Sequence, residues 1–186
     1  MKKAELQSQL LKGKYTSKRI QSLLQKRENI LNDFMHKAST FIIKYCLENN
    51  INTIIIGSNK NWKQNCNLGH NTNRKFIQIP YDSFKRKLEY KCKLNGISYI
   101  ETEESYTSKI DHLAFEEMKH QPKYLGKRIH RGLFQSSTGK LLNADINGSI
   151  GIMRKVLESK ISQEWIKSLL NNGLVAKPLK VNSFIK

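Results

Sequence analysis

At 186 residues the chain is one domain or one and a half, long enough for a real core. Lys and Arg number 33 against 15 Asp and Glu, and the resulting charge of +18 points to nucleic acid or an anionic surface as partner. No apolar run approaches the ~20 residues of a membrane span. MKKAELQSQLLKGK lacks the apolar stretch of a secretory signal, and the reading is a cytoplasmic protein with no membrane partner.

The first long element is a helix. Residues 12–27 hold six basic residues and no acid. From Ile20, the residues Leu23, Leu24, Ile30, Leu31, Phe34, Ala38, Phe41, Ile42 and Tyr45 follow a three-four spacing that predicts one apolar face. Thr16 or Ser17 is the expected N-cap, and Asn49-Asn50 the stop. Ile51–Asn59 is an uninterrupted β-branched run closed by Gly57, read as a strand buried on both faces. Residues 58–79 are polar and irregular. A second helix is expected from Pro80 to about Leu94, with Phe84, Leu88 and Cys92 on one face and Asn95-Gly96 ending it.

Ile97–Glu104 reads as a second strand. Lys109–Lys140 has little periodicity, with no acid between Glu117 and Asp145, and reads as a basic insertion. A helix is expected from near Asp145 to about Leu157, and the remainder, with Trp165, as a loosely packed tail. The three cysteines, Cys46, Cys66 and Cys92, make neither a CxxC pair nor an even disulfide set, and Cys46 and Cys92 read as buried apolar residues. The domain reading is a basic segment over 1–16, a principal domain over 17–157 with 105–140 as its insertion, and a tail over 158–186.

Within this cationic chain, acids gather at two element boundaries: Glu103 and Glu104 at a strand end, and Asp145 at a helix start. Carboxylates so placed suit a metal-dependent enzyme acting on a polyanion, because Mg²⁺ prefers hard oxygen ligands. Strand alternation sends Glu103 and Glu104 to opposite faces, so one can be a ligand while the other is solvated. For Asp145 the competing reading is a helix cap. Lys60, Trp62 and Lys63 combine a ring with cations, and Lys123, Lys127, Arg128 and Arg131 form a denser basic patch. Contacts of this kind bring salt-sensitive affinity for phosphates. Trp62 is either a stacking surface or a core anchor. Thr107 and Ser108 donate either to a phosphate or to local backbone.

Several strings taken together, TIIIGSNKNWKQ, FIQIPYDSFKRKLEYK, TEESYTSK, GKRIHRGLF and NADINGS, resemble the TnpB family, the OrfB-type "transposases" of bacterial insertion sequences. Members are RNA-guided DNA endonucleases related to type V CRISPR effectors. The resemblance implies an α/β, RNase H-like (RuvC) nuclease fold, here incomplete. The first three strands are expected to be missing, with the first catalytic aspartate, and a basic insertion stands where the family has a zinc ribbon. It also implies a two-metal Mg²⁺ site cutting DNA, with a guide RNA as partner if the full-length protein is restored. Asp145 matches the third acid, with Asn147 assisting through a hydrogen bond. The usual second acid falls at Gly57, which cannot bind metal; some branches supply a glutamate before the next Thr-Ser pair, and Glu104 fits there, with Glu103 second. Catalytic candidates are therefore Glu104, Asp145 and Glu103, and metal ligands Glu104 and Asp145. No zinc site is expected; His112, His120 and His130 read as surface histidines rather than a three-histidine centre. An uncovered sheet edge predicts self-association. The alternative function is a non-catalytic DNA- or RNA-binding remnant of a transposase.

Overall fold

The computed structural model describes residues 2–10, 13–59, 80–157 and 160–171. Lys60, Trp62, Lys63 and Cys66 lie outside the described residues, as does the chain after Asn171. The elements are α1 (Lys2–Ser8), α2 (Lys18–Glu48), β1 (Thr53–Ser58), α3 (Tyr81–Leu94), β2 (Ser98–Glu103), β3 (Lys127–His130), β4 (Leu133–Gln135), β5 (Leu141–Asn143), α4 (Ala144–Leu157) and α5 (Gln163–Asn171). No helix among the described residues is long and apolar enough to cross a membrane.

The chain divides into two compact units. In the first, α2 packs against α3. Ser17 caps α2, its hydroxyl accepting from the Ile20 amide at 3.3 Å, and Asn49 closes it. The buried stripe of α2 is Ile20, Met35, Ala38, Ser39, Ile43 and Cys46, rotated from the expected one. Ile30, Phe34, Phe41 and Tyr45 are exposed instead. A long helix with apolar residues on more than one stripe leaves the choice to its neighbour. Here Lys91 of α3 fixes it, its ammonium donating to the His36 carbonyl, the Ser39 hydroxyl and the Thr40 hydroxyl at 2.7–2.8 Å. From α3, Leu88 and Cys92 are fully buried, and burial raises the Cys92 thiol pKa, as it does that of Cys46.

The second unit carries β1 and β2 as a parallel pair in the register Thr53↔Ser98 through Ser58↔Glu103. β1 is half-buried along its whole length rather than buried on both faces. The residues expected to be a featureless insertion include β3 and β4, which with β5 form an antiparallel sheet in the order β3-β4-β5. Strands of three or four residues are too short to register as a period, which is why they escape a reading of the sequence. Helix α4 packs on both sheets. The core joins Leu113, Phe134, Leu142, Ala144 and Ile150 to Ile161 and Ile166. Ile166 lies in α5 and is fully buried, so the beginning of the expected loose tail is a packed helix.

What holds residues 105–125 is a set of buried polar side chains. Asp111 accepts from the Ser136 and Ser137 hydroxyls and the Ser137 amide at 2.7–2.9 Å. Glu116 accepts from the Asp111 and Leu125 amides at 2.7 and 2.9 Å. His112, expected at the surface, is fully buried; His120 and His130 are exposed. Arg154 can only donate, so its 2.9 Å contact makes His112 Nδ1 the acceptor and leaves Nε2–H to donate to the Thr107 carbonyl at 2.8 Å. The Arg154 guanidinium also lies 4.0 Å over the Phe115 ring. Gly151 permits the arrangement, because a Cβ there would strike the His112 ring and come within 2.9 Å of Thr107 Cβ.

Burial, with the neighbouring Arg154 charge, lowers the His112 pKa from 6.5 to about 4. The folded state therefore favours neutral imidazole. Its contribution is complete above pH 6.5 and is lost as the pH falls toward 4. The ceiling is about 3 kcal/mol. In chemical denaturation between these limits, His112→Gln, which keeps one donor and one acceptor, should lose stability less steeply than the wild type.

Candidate active site

Three pieces of the second unit build the site. β1 ends at Gly57-Ser58, and its parallel partner β2 ends opposite at Thr102-Glu103. Parallel pairing puts both C-terminal strand ends at one edge, where open α/β sheets commonly bind ligands. Glu104 is the first residue past β2.

Gly57 carries the decisive geometry. A Cβ on Gly57 would lie 2.6 Å from Ile152 Cδ1 of α4 and 2.9 Å from Glu104 Oε2. The space a side chain at the end of β1 would take is thus already filled, with the Glu104 carboxylate as one of its two occupants. Among the described residues, Glu104 has no hydrogen-bond or ion-pair partner for that carboxylate.

Glu103 is differently placed. Its carboxylate accepts from the Ser105 amide and hydroxyl at 2.8 and 2.6 Å and from Lys155 Nζ at 2.9 Å. The Ser105 hydroxyl, then Lys155, hold its pKa down to about 2. Its oxygens are occupied with tying β2 to α4. The two neighbouring glutamates thus make different contacts.

Asp145 sits in the first turn of α4, but it is not the cap. Asn143 Oδ1 accepts from the Asp145 and Ile146 amides at 2.8 and 3.3 Å. The Asp145 side chain is 86% exposed, with the Arg128 guanidinium 4.0 Å away. Asp145 and Ile152 are seven residues apart, two turns on one helix face, about 10 Å along the axis. Asn147 points elsewhere, about 200° around the helix from Asp145. Its Nδ2 donates to the Ile110 carbonyl at 2.8 Å, while its buried Oδ1 has no partner in the described structure. Thr107, fully engaged, donates its hydroxyl to the Glu104 carbonyl at 2.8 Å.

Glu104 and Asp145 offer the hard carboxylate oxygens that magnesium takes. No group of three or more His, Cys, Asp or Glu side chains assembles among the described residues. The described residues therefore do not by themselves assemble a magnesium site around these two acids. The cations Lys123, Lys127, Arg128 and Arg131 are all exposed, and every residue of β3 faces solvent.

Sequence reasoning missed Lys155 and Arg154, which attach α4 to the segment after β2, because neither lies in a motif. The pattern Lys155–Glu103 could be found only by knowing that β2 and α4 pack together. Because position 57 has no room, Gly57→Ala should cost about 1–3 kcal/mol. Urea denaturation measures this, and Gly148→Ala, where nothing lies within 4 Å, serves as the reference.

Two family models match the sequence: "Probable transposase" (OrfB_IS605) over residues 1–63 and "Cas12f1-like, TNB domain" over residues 81–152. No curated protein matches it. Among solved structures, the chain is similar to one titled "Cryo-EM structure of the Cas12f1-sgRNA-target DNA complex", with a TM-score of 0.56 and 20% identity. That likeness covers 73% of this chain and 36% of the other, so the chain spans about a third of its structural relative and shares with it a mixed α/β fold. Matches from the OrfB_IS605 model at one end and from the Cas12f1-like model through β2 and α4 together make the chain similar to the TnpB (OrfB-type) family.

Proposed function

We propose that the chain is the RuvC-type portion of a TnpB-like, RNA-guided DNA endonuclease. Its fold is an incomplete RNase H-like α/β arrangement over residues 17–157, with 105–140 as a basic module where the family has a zinc ribbon. Residues 1–16 and 158–186 flank it. Glu104 and Asp145 are the acids that hold magnesium, and Glu103 is a strut rather than a ligand.

The observation that carries this reading is the Glu104 carboxylate lying 2.9 Å from the Cβ position of Gly57. A side chain from the end of β1 and the Glu104 side chain would compete for the same space, so one acid can stand in for the other. When bound, the metal would activate the attacking water and stabilise the leaving oxygen. This chain's residues supply the rest. Lys123, Lys127, Arg128 and Arg131 hold the phosphate backbone, whose contacts position the strand without reading its sequence. Lys155 and Glu103 fix α4 against the strand end that presents Glu104. Partners follow from the relative's complex, which contains a single guide RNA and target DNA.

The described residues supply no group of three acids, so on this reading cleavage by this segment alone is slow. That same lack favours a second reading, a nucleic-acid-binding remnant that cuts nothing.

A single pair of variants separates the two. Purified chain incubated with labelled DNA and Mg²⁺ should show slow nicking, and replacing Glu104 and Asp145 together by Ala should lower it at least about a hundredfold. DNA affinity should be unchanged. No nicking by the parent chain, with intact binding, selects the second reading. Nicking that survives in the double variant removes the site assignment. On either reading, Ala at Lys127 and Arg131 should flatten the salt dependence of binding by about 1 in slope per cation removed.

A further inference from the structure

Beside Glu104 the backbone adopts a conformation that an aromatic residue seldom takes. Tyr106 has φ +63°, a true outlier for a bulky side chain and a cost of about 1–2 kcal/mol relative to ordinary backbone. The neighbours hold it there. Glu104 O accepts from the Thr107 amide at 3.4 Å and hydroxyl at 2.8 Å, and Tyr106 O accepts from the Lys109 and Ile110 amides at 3.2 and 3.3 Å. Thr107 is itself buried beneath Gly151 of α4.

Among the described residues two other non-glycine residues adopt positive φ, and each has its reason. Asn50 belongs to a residue type that tolerates the left-handed region. Phe115 recovers its strain by packing on the core cluster under the Arg154 guanidinium. Tyr106 has no such return. It remains 42% exposed, and among the described residues its ring contact is with His120, 6.4 Å between centroids and near-perpendicular at 81°. Strain kept at an exposed aromatic, two residues from a candidate acid, is the kind that persists for function rather than for stability.

We propose that Tyr106 is a stacking platform for an unpaired nucleobase, placing the strand beside Glu104. The inference rests on the reading that this chain grips nucleic acid, and it adds that the grip includes a base. A near-perpendicular histidine covers at most one face of the tyrosine, and every base presents a π-face of suitable size whatever its identity. Exposed Lys109 and Lys123 stand along the same segment to take the flanking phosphates. The platform accordingly favours single strands over duplex, where bases are stacked on each other.

The test is fluorescence anisotropy with labelled oligothymidylate and oligouridylate, each against an abasic strand of equal length and charge. The wild type should bind the base-bearing strands more tightly. Tyr106→Asn should reduce that preference about tenfold while melting at the same or a higher temperature, because asparagine relieves the strained backbone. Tyr106→Phe should retain the preference. A larger loss with the DNA strand assigns the platform to DNA, and a larger loss with the RNA strand assigns it to RNA. An unchanged base-over-abasic preference in Tyr106→Asn overturns the stacking role while the basic grip stands. Absence of binding to any strand by the wild type removes the grip, and the platform with it.

Discussion

The close approach at Gly57 is where three elements of the second unit meet. Strand β1, the carboxylate after β2, and Ile152 of α4 meet at one point, and a hydrogen atom is the only side chain that leaves room for them. The glycine is therefore not a deleted acid with an empty space behind it. Its lack of a side chain is the condition for Glu104 to lie where it does. The carboxylate enters from the neighbouring parallel strand, one step beyond the pairing of Ser58 with Glu103.

Given that meeting point, the remaining contacts act as braces. Lys155 joins α4 to Glu103 and Ser105 on one side. Asn147, Gly151 and Arg154 join the same helix to Ile110, His112 and Glu116 on another. Buried hydrogen bonds of this density are costly to break, since each lost partner leaves a desolvated polar group behind. They therefore hold the segment after β2 firmly to the helix that carries Asp145 in its first turn. The basic strand β3 sits in the same unit, and its Arg128 reaches toward that aspartate. An exposed pair at 4.0 Å contributes little to stability, so the guanidinium is cheaply available to a phosphate.

Much of the fold was legible because it is periodic. The limits of α2, the stop at Asn95-Gly96, both parallel strands and the start of α4 follow from caps and apolar spacing, to within a residue or two. What escaped is aperiodic or depends on a partner. The short strands β3 and β4, the burial of His112, and the ties made by Asp111 and Glu116 rest on contacts between residues far apart in sequence. The buried stripe of α2 was misread because several stripes were apolar enough and Lys91 chose among them. Tyr106 gave no sign in the sequence at all, since its distinction is a backbone angle.

The central proposal is that Glu104, not Glu103, is the acid that holds metal together with Asp145. Manganese binding by electron paramagnetic resonance tests it without requiring turnover. The account predicts that Glu104→Gln and Asp145→Asn each weaken Mn²⁺ binding while Glu103→Gln leaves it near that of the parent. Loss of binding in Glu103→Gln with retention in Glu104→Gln would contradict it.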